Sequence, residues 1–163
     1  HSIDLMRSIA GGEPVAAATV VMRQDDWVDN AWNGICRFDN GATGIIKGNY
    51  QTGGRVHKFE IHGPGISAYI DLGFGGPSCT ARILDHAGPM RYSLAAAGAG
   101  SEGIIELDGK EIAGSDDFYN YYGFYHEDVH FLDCVREGRR PVPDIQEAVK
   151  SMRLMEMFLG NAI

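Results

Sequence analysis

The sequence predicts an α+β fold: a large, mostly antiparallel open sheet with helices packed on one face and the other face used for oligomerisation. Three observations carry this expectation. Short β-branched or alternating runs fill the chain from about residue 14 to residue 112. Helical spacing is confined to residues 2–10 and 117–159. The turns between strands are short Asn-, Gly- and Pro-containing links, which join antiparallel neighbours.

Taken in order, Ile3, Leu5, Met6 and Ile9 fall near helical spacing, with Ser2 as the expected N-cap and Gly11-Gly12 as the stop. Residues 14–23 form a small and β-branched run that reads as a strand. Residues 31–38 and 42–51 form the next pair. They are joined at Asp39-Asn40-Gly41, where Asn-Gly supplies positive φ at little cost. Residues 56–62 alternate Lys58, Glu60 and His62 with Phe59 and Ile61, as a half-buried strand does. Gly63-Pro64-Gly65 turns the chain into a strand over 66–72. Runs at 78–84 and 89–94 read as a further hairpin, and 95–103 as a small-residue linker. Residues 104–112 read as a hairpin turning at Asp108-Gly109. One helix is expected over 117–136 and another over 144–159, the latter burying Val149, Met152, Leu154, Met155, Phe158 and Leu159. Apolar residues at both strand parities, such as Val20-Val21 and Ile45-Ile46, predict a second apolar face that meets another copy of the chain.

The chain has 163 residues, 44% of them hydrophobic and 22% charged, which suits one globular domain. Its formal net charge of −8 disfavours nucleic acid and anionic membrane surfaces as partners. No run approaches the roughly 18 apolar residues of a membrane span. Cys36, Cys79 and Cys134 are widely spaced and odd in number, and read as reduced, buried thiols of a cytoplasmic protein.

Two familiar motifs occur without the context their chemistry needs. Gly98-Ala99-Gly100-Ser101-Glu102-Gly103 matches the dinucleotide fingerprint, but residues 104–108 read as a strand where a helix must begin. His126-Glu127-Asp128-Val129-His130 matches a zinc-peptidase motif, yet Asp128 puts a charge inside it and no third ligand is indicated. No metal is expected.

His1 and Asp4 are three residues apart and share one helix face. A histidine can take a proton from an alcohol at neutral pH. By itself it also reads as a solvated chain end. Together with this opening helix, the Phe38-Asp39-Asn40-Gly41-Ala42 hairpin, the Phe59-Glu60-Ile61-His62-Gly63 strand and the closing run Phe131 to Asp144, it gives the chain its main likeness. The whole resembles the C-terminal domain of the Gfo/Idh/MocA oxidoreductases, a group that includes glucose-fructose oxidoreductase and inositol dehydrogenase.

The resemblance implies a single C-terminal domain over 1–163, the substrate-binding and oligomerisation half of an oxidoreductase using NAD or NADP on a sugar, inositol or related polyol. His1 would be the catalytic histidine of the family's H-x-x-D helix, matched by His1-Ser2-Ile3-Asp4. Asp4, Arg55, His57, Tyr122 and Tyr125 would face the substrate. The family's substrate-contacting tyrosine is replaced here by Arg55, which favours an anionic or polyhydroxylated ligand. The family's Asp before the histidine, its catalytic lysine and its Rossmann domain fall outside this sequence. The chain alone is therefore expected to be inactive and to hold no cofactor. Its expected partners are that Rossmann domain and further copies, as a homodimer or homotetramer. The rival reading is a freestanding α+β self-association module.

Overall fold

The computed structural model describes residues 1–24, 27–73, 78–85 and 103–163. They pack as two compact units. The first comprises residues 1–53 and 138–163, the second residues 54–137. The α+β class holds. Hydrogen bonding divides the seven strands among the described residues between two antiparallel sheets, one of three strands and one of four.

The first unit opens with α1 (Ser2–Ala10), followed by β1 (Pro14–Met22), β2 (Ala31–Phe38) and β3 (Thr43–Asn49) in the order β1-β2-β3. The cap of α1 is His1 rather than Ser2. Gly11 ends the helix at φ 66°, its N–H closing on the Arg7 carbonyl at 3.1 Å. The β2–β3 turn forms at Asp39-Asn40-Gly41 as expected, with Gly41 at φ 88°. Asn40 Nδ2 also donates to the Ala10 carbonyl at 2.7 Å, which fixes the end of α1 to this turn. The last helix, α5 (Ile145–Gly160), is capped by Asp144, whose carboxylate accepts from the Gln146 and Glu147 N–H groups.

Both helices lie on one face of this sheet. Cys36 and Phe38 from β2 meet Leu154 and Phe158 from α5, with Ile3, Met6 and Ile46 packed around them. The buried face of α5 is narrower than the sequence suggests. Leu154 and Phe158 are buried and Met155 is half-buried, while Val149, Met152 and Leu159 are exposed. A helix on a single sheet face can bury only one stripe, and these three residues sit on the opposite one.

The second unit contains β4 (Lys58–Gly63), β5 (Ile66–Asp71), β6 (Thr80–Asp85) and β7 (Ile104–Asp108), paired in sequence order. The expected strand at 89–94 lies outside the described residues.

Two expectations are corrected in this unit. Asp108-Gly109 is no hairpin turn. Asp108 caps the short helix α2 (Gly109–Ala113), its carboxylate accepting from the Lys110 N–H at 2.7 Å and the Glu111 N–H at 3.3 Å. An aspartate carboxylate accepts from N–H groups two and three residues on, which serves a cap as readily as a turn. The single helix expected over 117–136 is split into α3 (Phe118–Tyr121) and α4 (Phe124–Glu137). Gly123 adopts φ 87°, which a helix cannot contain.

All three cysteines are buried thiols. Burial pushes the Cys36 and Cys79 thiols up, and for Cys79 the Asp108 and Asp71 carboxylates push the same way. Among the described residues, no helix is long and apolar enough to cross a membrane.

Candidate functional site

The candidate residues fall in both units. His1 and Asp4 belong to the first; Arg55, His57, Tyr122 and Tyr125 belong to the second.

His1 is exposed at the N-terminal end of α1, and its carbonyl accepts the Leu5 N–H at 2.9 Å. Asp4, one turn on, is engaged by the neighbouring helix. The Ser151 hydroxyl donates to its carboxylate at 2.5 Å, and Arg7 Nη1 stands 3.6 Å away. Arg7 is the centre of this arrangement and is 9% exposed. Its guanidinium donates to the Glu147 carboxylate, to the Glu147 carbonyl at 3.3 Å and to Ser151 Oγ at 3.0 Å. Lys150 completes the network, 3.0 Å from Glu147 and 3.3 Å from Glu13. Hydrogen bonds from Lys150 and then Arg7 hold the Glu147 carboxyl below the usual range. Asp4 therefore helps tie α1 to α5, which fixes the helix that presents His1.

Sequence reading missed Arg7, Glu147 and Ser151. No local pattern signals them, because their partners lie more than a hundred residues away. A shallow depression of about 390 Å³ beside this network is lined by Arg7, Ser8, Gly11, Gly12, Glu13, Asp39 and Glu147. It lies by the C-terminal end of α1, away from His1.

In the second unit, Arg55 is exposed, and half-buried His57 precedes β4, its carbonyl accepting the Leu72 N–H at 3.0 Å. Tyr122 comes just after α3 and packs on Tyr121 with ring centres 4.6 Å apart. Burial pushes the Tyr122 phenol up, its neighbours Tyr121 and Cys79 add to this, and the Arg55 charge opposes it. Arg55 and Tyr122, 67 positions apart in sequence, thus act on each other in the fold. Tyr125 is exposed in the first turn of α4, edge-on to His126. His126 and His130 share that helix, and His130 Nε2 lies 3.6 Å from Cys134 Sγ. Among the described residues, no group of three His, Cys, Asp or Glu side chains is placed to hold a metal ion.

Most of the glycine-rich run at 98–103 lies outside the described residues. Gly103 leads directly into β7, so no helix N-terminus opens there to receive a pyrophosphate.

Residues 1–68 match the family model described as the GFO/IDH/MocA C-terminal domain. No curated protein matches the chain. Its fold is similar to that of UDP-N-acetylglucosamine 3-dehydrogenase from Acidithiobacillus ferrooxidans, at TM-score 0.72 and 16% identity, covering 99% of this chain and 46% of that one. It is also similar to an aldose-aldose oxidoreductase from Caulobacter crescentus crystallised with glycerol, at TM-score 0.69 and 19% identity, covering 98% and 42%. An oxidoreductase from Agrobacterium radiobacter in complex with NAD+, L-tartaric acid and magnesium gives TM-score 0.69 at 15% identity, covering 98% and 44%. At these identities the likeness is one of fold. The chain spans less than half the length of each of these structures.

Proposed function

From the recognition of this chain as a GFO/IDH/MocA C-terminal domain, carried by the match over residues 1–68, we propose that it is the substrate-side half of an NAD(P)-dependent oxidoreductase acting on a sugar, inositol or related polyol. The observation that supports this most is coverage. Almost the whole chain superposes on rather less than half of each of three oxidoreductase structures, and His1 stands exposed at the end of α1.

In this reading the cofactor is held by a nucleotide-binding domain outside these residues and supplies hydride chemistry when bound. His1 exchanges the proton of the substrate hydroxyl: its neutral imidazole accepts that proton during oxidation and returns it during reduction. Asp4 and Arg7 act on the orientation of α1. Arg55, His57, Tyr122 and Tyr125 present hydrogen-bonding groups and aromatic faces to a polyhydroxylated ligand. The exposed row Ala18, Ile35 and Ile45, in register across β1, β2 and β3 on the side away from α1 and α5, serves self-association.

The test uses the longer polypeptide that carries this chain. Reduction of NAD or NADP is followed with glucose, myo-inositol and UDP-N-acetylglucosamine. His1→Ala is expected to lower turnover by about 10²–10⁴-fold, the range for losing a general base. Turnover by residues 1–163 alone, or unchanged activity in His1→Ala, would overturn this assignment. Ile35→Glu with Ile45→Glu is expected to reduce the oligomer to monomers on size exclusion with light scattering.

A further inference from the structure

Helix α1 is shorter than the strand it lies on. Its C-terminal end is fixed to the turn at 39–41 through Asn40 and Ala10. Met6 lies over Gly44 of β3, close enough that a side chain there would meet Met6 Cγ at 2.9 Å. From Met6 back to His1 the helix advances about 7.5 Å. From Gly44 on to Tyr50 the strand advances about 20 Å. The sheet therefore continues past the His1 end of the helix, on the face that carries α1 and α5.

That uncovered stretch is aromatic. Trp32 stands opposite Gly48 in the β2–β3 register, its Cε3 3.7 Å from where a Cβ on Gly48 would sit, an ordinary packing distance. Tyr50, 82% exposed, meets Trp32 edge to face, with ring centres 5.8 Å apart. The pair rests on a rigid base. Asn30 is buried, its carbonyl accepts the Tyr50 N–H at 3.0 Å, and its side-chain amide exchanges two hydrogen bonds with the Gln24 backbone. Arg23, just before Gln24, is paired with Asp29 through Nε and Nη2.

We propose that the exposed ring of Tyr50, braced edge to face by half-buried Trp32, forms a stacking ledge for the neutral ring of a sugar or cyclic polyol, in front of the His1 end of α1. A flat aromatic face suits the apolar C–H face of such a ring, and the Tyr50 hydroxyl gives its edge a hydrogen-bond partner. Rigid aromatics that keep their position when the ligand arrives lose little entropy on binding. This rests on the polyol-oxidoreductase reading above and names residues that reading lacks.

Saturation-transfer difference NMR on the full chain tests it, with glucose, myo-inositol and N-acetylglucosamine as probes. Transfer to ring protons is expected. Tyr50→Ala should weaken binding at least about fivefold, a loss of ~1 kcal/mol, while Tyr50→Phe keeps most of it because the ring remains. Tyr50 is exposed, so both variants should fold, which far-UV circular dichroism checks. Transfer that Tyr50→Ala leaves unchanged overturns the ledge alone. No transfer to any of the three compounds overturns both the ledge and the polyol reading. Conversion of a dimer to a monomer by Tyr50→Ala makes the surface a contact between copies and also overturns the ledge.

Discussion

The guanidinium of Arg7 and the carboxylate of Glu147 meet across 140 positions of sequence, joining the first helix of the chain to the last. Arg7 is buried, and its Nε has no hydrogen-bond partner. Its value to the fold therefore depends on the fork of Nη1 and Nη2. Arg7→Met keeps most of the stem and removes the fork. It is expected to lower unfolding stability by about 1–3 kcal/mol in urea titration, the range for losing hydrogen bonds to charged groups. Arg7→Lys should not restore it, because one ammonium cannot reproduce the planar fork.

The same network sets a pH dependence. Glu147 is held below its ordinary value by Lys150 and then Arg7. Its contribution is fully present above the unfolded-state value and is lost as pH falls through the lower folded-state value. Lys150 is held above its ordinary value by Glu147 and then Glu13. Its contribution is present below the unfolded-state value and is lost as pH rises through the folded one. Urea midpoints should thus fall on the acid side as pH drops through the ordinary Glu value of about 4.3 and on below it, and Glu147→Gln should flatten that limb. An equally steep acid limb in Glu147→Gln would exclude Glu147 as a source.

Two strand glycines make room for the helices. A Cβ on Gly34 would meet Phe158 ring carbons at 2.7 and 2.9 Å. One on Gly44 would meet the flexible side chain of Met6 and Cys36 Sγ at 3.1 Å. Phe158 is a rigid ring inside the core, whereas Met6 can change rotamer. Gly34→Ala is expected to cost about 1–3 kcal/mol, and Gly44→Ala less, measured by thermal unfolding. The reverse order would contradict the packing.

Arg55 is the charge that counters the burial of the Tyr122 phenol. Removing it in Arg55→Met should raise the Tyr122 pKa further, since the phenolate loses a nearby cation. Tyrosine-resolved NMR titration reads this directly. An unmoved Tyr122 would separate the two residues and weaken their pairing as a substrate wall.

Much of this fold was legible because its cues are local. Asn40-Gly41 can make its turn without distant help, and Gly11 stops α1 by its own φ. The alternation at 58–62 needs only a sheet with two unlike faces. The failures were local cues with two meanings. Asp108 serves a cap as well as a turn, and only the pairing of β7 with β6 decided where the strand ends. Gly123 reads as a tolerable helix glycine until its φ of 87° is seen.

The candidate site divides in the same way. His1 and Asp4 could be picked out from an i, i+3 spacing. Arg7 and Glu147 could not, because nothing in either neighbourhood marks a partner at the other end of the chain. Tyr50 carried no signal at all; it matters only because β3 extends farther than α1.

By itself the sequence determined the element types, most of their limits and the family resemblance, since these depend on backbone preference and hydrophobic period over a few residues. Tertiary structure alone decided which stripe of α5 is covered, which carboxylate meets Arg7, and which aromatics lie uncovered beyond the His1 end of α1. Those outcomes depend on how far each rigid element reaches when laid on another, a length in space that no run of neighbouring residues encodes.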